Sequence, residues 1–112
     1  AAVAYPSYQN HVIKTRRGAG AACLTELAQF MERYYTTTMS YQEAELPQTG
    51  CRTELAAFYT FAFDQVATAR AFSISATATG AQIKDSRCGN LTLNQAGTKS
   101  VSVNGTPVGE CF

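Results

Sequence analysis

The sequence predicts an α+β domain: one long amino-terminal helix laid across a three- to four-stranded antiparallel sheet. Three observations carry that prediction. Apolar residues recur at helical spacing in the first third of the chain, the spacing changes to two from Tyr59 onward, and four cysteines stand far apart in a chain of 112 residues. A chain of this length is one domain that buries roughly two thirds of its unfolded surface, so it has little stability to spare and gains from cross-links.

The helix is read over residues 1–35. At 100° per residue Cys23, Leu24, Leu27, Phe30, Met31 and Tyr34 share one face, while Thr25, Gln29, Glu32 and Arg33 lie opposite. The earlier half carries Val12 and Ile13 among Gln9, His11, Lys14, Arg16 and Arg17, too few apolar groups for a core, and is expected to protrude. Gly18 and Gly20 inside the helix each cost about 1 kcal/mol relative to alanine. They mark either tolerated softness or a place where a neighbour approaches closely. The polar β-branched run Thr36, Thr37, Thr38 should stop the helix.

Residues 36–57 read as an irregular connection, with Met39, Tyr41 and Leu46 tucked beneath it and turns at Pro47 and Gly50. The sheet is placed at residues 58–104. Tyr59, Phe61 and Phe63 alternate with polar or small residues, as do Phe72, Ile74, Ala76 and Ala78. Leu91 and Leu93 form a third strand, and Val101 and Val103 a possible return strand. The aromatic inner face of this sheet can meet the helix stripe.

Chemistry is sparse. His11 is the only imidazole and reads as a solvated surface residue; Asp64, Asp85 and Glu110 are scattered singly and read as solvated charges or local hydrogen-bonding partners. No phosphate loop, nucleophile elbow or HExxH is present, so no enzyme, metal or cofactor is expected. The cysteines are spaced too widely for a CxxC metal site and read as disulfides, which implies an oxidising compartment. Nine basic and eight acidic residues leave a net charge of +1, which gives no strong field toward polyanions. Lys14, Arg16 and Arg17 are a thin footprint for phosphate contacts, and pairing with acidic groups of a neighbouring subunit, or mere solvation, is the preferred reading; no nucleic acid is expected.

The amino-terminal AAVAYPSYQ, followed by Arg16 and Arg17 and then ELAQFMERYY, resembles the start of type IV pilins, closest to the PilE-type minor pilins of type IVa pili. CGNLTLNQAGTKS, Cys88 to Ser100, and the close of the chain on Cys111 and Phe112 resemble the other end of that group. The resemblance implies the pilin fold, with a carboxy-terminal region at residues 88–111 bounded by a Cys88–Cys111 disulfide. A Cys23–Cys51 pair would tie the connecting loop back to the helix. It also implies an apolar helical segment before Ala1, with Tyr5, Tyr8, Lys14, Arg16 and Arg17 as subunit contacts. The implied function is structural: a minor subunit that enters type IVa pili and helps to prime their assembly for twitching motility and attachment. Its partners would be other major and minor pilins and inner-membrane assembly proteins. It would sit at the periplasmic face of the inner membrane and then in the extracellular fibre, whereas residues 1–112 by themselves would be soluble and monomeric. A pseudopilin of a type II secretion system is the alternative within that class. An adhesive or DNA-capturing tip subunit is the alternative outside it, to be marked by an exposed apolar or basic patch in Gln95–Gly109.

Overall fold

The computed structural model describes the backbone of residues 4–112 and the side chains of residues 9–112. Helix α1 runs Ala4–Thr38, three residues past the expected stop. The threonine run prolongs it because the hydroxyls of Thr36, Thr37 and Thr38 donate back to the carbonyls of Arg33, Arg33 and Tyr34, which keeps these polar side chains satisfied on the helix. The helix then ends at Met39, whose left-handed φ of 60° lets its N–H return to the Tyr35 carbonyl. That geometry turns the Met39 side chain outward, and it is 70% exposed rather than tucked under the loop.

The connection that follows holds a short helix, α2 (Gly50–Glu54), which spacing alone does not reveal; Thr49 caps it by accepting from the Arg52 N–H. Four strands follow: β1 (Tyr59–Gln65), β2 (Ser73–Ala78), β3 (Leu91–Asn94) and β4 (Lys99–Val101). They form one antiparallel meander in the order β1-β2-β3-β4, with Phe61 opposite Ala76, Ile74 opposite Leu93 and Leu91 opposite Val101. Val103 falls outside the return strand. Between β2 and β3 a 3-10 turn, Gly80–Lys84, packs on α1.

The core lies between one face of the sheet and the distal half of α1. Leu24, Leu27, Met31, Tyr59, Ile74 and Leu91 are fully buried there, Phe61 and Phe72 nearly so, and Phe30, Tyr34 and Phe63 are half-buried at its margin. Cys23 is joined to Cys51, which ties α2 to the helix, and Cys88 to Cys111, which closes the carboxy-terminal region. The side chains of Tyr5 and Tyr8 lie outside the described residues. Among the described residues no helix is long and apolar enough to cross a membrane.

Candidate functional site at the helix and carboxy-terminal junction

The proximal half of α1 is not a free stalk. Arg17 is buried and meets Asp85 in a two-pronged ion pair, Nε donating to Oδ2 at 2.9 Å and Nη2 to Oδ1 at 2.8 Å. Asp85 Oδ1 also accepts the backbone N–H groups of Arg87 and Cys88 at 3.1 Å, so the carboxylate fixes the chain at the start of the disulfide-closed region. Four residues earlier along the helix, the Ile13 carbonyl accepts from Gln82 Nε2 at 3.0 Å, and the same amide nitrogen reaches the Tyr59 hydroxyl at 3.1 Å. Two expectations are thereby corrected. Asp85 is not a solvated charge, and Arg17 does not offer a free charge to a neighbouring subunit, because each is the other's buried partner.

Burial alone would raise the Asp85 carboxyl, but the Arg17 guanidinium and the two N–H donors outweigh it and hold the group below its ordinary value. The hydrogen bond to Asp85 raises Arg17 in return. Burial is also the main reason that the Tyr59 hydroxyl is pushed up.

Around this buried pair the basic residues gather. Lys14, Arg17, Arg87, Glu110 and Phe112 line an open cleft of about 510 Å³. Lys99 stands 5.6 Å over the Phe112 ring. On another side of the helix Arg16 lies 3.8 Å over the Phe58 ring and shares a smaller cleft with Lys84. The two acids of this region are both engaged, Asp85 by Arg17 and Glu110 by Arg87. Six basic side chains against two acidic ones give a net of +4, in a chain whose total is only +1, so the remainder of the chain carries −3. A near-neutral total hides a segregated distribution, with formal positive charge gathered at this collar.

Sequence reading names Lys14, Arg16 and Arg17 but misses Lys84, Arg87 and Lys99. These come from turns and a strand far along the chain, and no spacing rule connects them to the helix. The Gln95–Gly109 stretch, where a tip-binding patch is to be expected, contributes only Lys99. His11 is exposed. Among the described residues no cluster of histidine, cysteine, aspartate or glutamate could hold a metal ion.

The family model for the type IV minor pilin ComP, a DNA uptake sequence receptor, matches residues 6–92. No curated protein matches the chain. Among solved structures the chain is similar to the non-core minor pilin PilV of Neisseria meningitidis, at 22% identity and a TM-score of 0.66 over 88% of this chain and 94% of that one. It is similar also to a type IV pilin of Shewanella oneidensis, at 25% identity and a TM-score of 0.65 over 89% of this chain and 97% of that one. The expectation that nucleic acid is not a partner runs against the description of the matching family. It rests on net charge and on three helix residues, neither of which registers a collar assembled by folding. With the family model matching most of this chain, and with the helix-on-sheet fold of solved pilins, this chain belongs to the ComP family of type IV minor pilins, which are structural proteins and not enzymes.

Proposed function

We propose that this chain is a minor pilus subunit that takes hold of DNA at the basic collar. The observation that carries the reading is the charge segregation: six of nine basic residues sit at one junction with two acids that are already neutralised. Lys14, Arg16, Lys84 and Lys99 make no ion pair among the described residues, which leaves four cations to meet phosphates. The rigid pinning of the 3-10 turn to α1 by Gln82 holds Lys84 and Arg16 at a fixed spacing. Contacts of this kind release counterions, so the logarithm of affinity should fall against the logarithm of salt with a slope of about −3.6 for four phosphates.

In this reading the subunit enters the fibre from the periplasmic face of the inner membrane, alongside other pilins. A contribution to priming of type IVa assembly, twitching and attachment belongs to the same proposal, and a gene deletion scored for piliation and twitching tests it. The DNA contact is tested by anisotropy titration of labelled duplex over a salt series. Lys84→Glu and Lys99→Glu should each weaken binding about tenfold and flatten the salt slope, whereas Arg33→Glu, away from the collar, should leave it unchanged. Collar and Arg33 reversals of equal effect, or no binding at low salt, would end the DNA reading.

A further inference from the structure

Three large apolar side chains stand mostly exposed among the described residues: Met39, Val66 and Ile83. Two of them sit in surroundings of opposite charge. Ile83, 69% exposed, lies in the 3-10 turn beside Lys84, which shares its cleft on α1 with Arg16. Val66, 91% exposed, lies in an open groove of about 560 Å³ with Phe63 and the carboxylates of Glu43, Glu45 and Asp64, none of which makes an ion pair among the described residues.

The groove is shaped by backbone irregularity. In the β1–β2 ladder Phe63 pairs with Ile74 and Gln65 with Ser73, so Asp64 is an extra, bulged residue. Glu43, which also lines the groove, holds a left-handed φ of 70°. The two patches are far apart along the molecule. Gln82 docks at Ile13 on α1, whereas the loop leading to Glu43 docks at Tyr34, whose hydroxyl donates to the Gln42 carbonyl. At 1.5 Å per residue these levels are roughly 30 Å apart on the helix axis.

We infer that the acidic groove at Glu43, Glu45, Asp64 and Val66 receives the Arg16–Ile83–Lys84 patch of a second copy of this chain. The inference rests on the pilus-subunit reading and deepens it by naming the surfaces. Each patch has one exposed aliphatic side chain with charged residues beside it, Lys84 next to Ile83 and Glu43, Glu45 and Asp64 in the groove with Val66, and the signs are opposite, which is the complementarity that sets register and partner choice. DNA does not fit the groove, whose carboxylates repel it; on the basic patch a docked copy and DNA phosphates compete for Arg16 and Lys84. The two patches lie at different levels of one elongated molecule, 57 Å in its longest dimension, so the contact joins two different surfaces of the two copies. Patches of so few residues fall well short of the roughly 800 Å² per partner of a stable complex, so the contact is weak in solution and the free domain is monomeric at micromolar concentration.

The test is a concentration series of isotope-labelled protein followed by amide shifts. At millimolar concentration shifts should move at residues 43–45 and 63–67 and at residues 81–84, and salt should abolish the movement. Asp64→Lys and Lys84→Glu, both at exposed positions, should each weaken self-association at least fivefold. An equimolar mixture of the two should recover it, since each supplies the face that the other lacks. Shifts clustered elsewhere, undiminished association of either variant, or a mixture that recovers nothing would overturn the inference. The pilus-subunit reading is judged separately, by piliation of the deletion strain, and the DNA reading by the duplex titration, in which Asp64→Lys should not weaken binding.

Discussion

The two halves of α1 are held by different chemistry, the distal half to the sheet and the proximal half to the connection between β2 and β3. In the distal half Leu24, Leu27 and Met31 are wholly buried against Ile74, Leu91 and their neighbours, an attachment that needs only apolar area. In the proximal half, where such residues are scarce, a buried ion pair and a glutamine amide do the holding. The contrast matters for function. An apolar anchor consumes the face that it uses, whereas the polar anchor neutralises Asp85 from within and leaves the surrounding lysines and arginines turned to solvent. A polar anchor is also more brittle, because removal of one partner strands the other.

Breaking the apolar anchor should have the largest effect. Leu27→Ala deletes a wholly buried side chain between helix and sheet, and the disulfide-pinned surroundings have limited freedom to collapse into the space. A loss of about 4 kcal/mol is expected, or a Tm lower by roughly 15 °C. A drop of only a few degrees in calorimetry would mean that the distal half is not the main attachment.

Breaking the polar anchor should come next. Asp85→Asn leaves the buried Arg17 without its counter-charge and should cost about 3 kcal/mol. Adding Arg17→Met to that variant should cost less than about 1 kcal/mol more, since the partnership is already lost. The pH dependence gives an independent signature. A carboxyl held below its ordinary value contributes stability that is fully present above about pH 4 and is lost as the pH falls through its lower, folded-state value. The wild-type protein should therefore show an acid limb below about pH 4 that Asp85→Asn flattens. Parallel acid limbs in urea titrations would show that Asp85 is not the group responsible.

The same contrast explains what is legible in the sequence. The distal half, the sheet and the core follow from periodicities of 3.6 and 2, because burial of apolar area is written into spacing. Leu24, Leu27, Met31, Tyr59 and Ile74 can be named from that alone. The proximal anchor cannot be, since nothing local to Arg17 points to a carboxylate 68 residues away. Asp85 reads as a solvated charge or a local hydrogen-bonding partner, and its bonds to the Arg87 and Cys88 N–H groups fit the second, but nothing in the sequence shows that the turn at Gly80–Lys84 and the disulfide at Cys88 bring it beneath the helix. The collar is hidden for the same reason: composition sums charges without regard to place, and here the sum cancels. α2 escapes notice because five residues are too few to show a helical period, and only its Thr49 cap carries a signal.

The two glycines on the boundary between the halves give the finest test, because the same substitution should act with opposite signs two residues apart. At Gly18 a Cβ would meet nothing within 4 Å, so Gly18→Ala should simply relieve the helix of a flexible residue and stabilise by about 1 kcal/mol. At Gly20 a Cβ would stand 3.0 and 3.2 Å from the Tyr59 ring. That ring is buried and its hydroxyl is held by Gln82, so it has little room to swing away. The overpacking of about 2 kcal/mol should exceed the gain in helix propensity, leaving Gly20→Ala destabilised by about 1 kcal/mol. Glycine at position 20 thus admits the aromatic ring through which the sheet and the polar anchor meet. Glycine at position 18 only loosens the helix. Amide exchange separates the two cases: Gly18→Ala should slow exchange from Lys14 to Gly20, and Gly20→Ala should quicken it around Ile13 as the Gln82 contact is disturbed. If both variants shifted stability in the same direction, the close approach of Tyr59 would not be what position 20 is for.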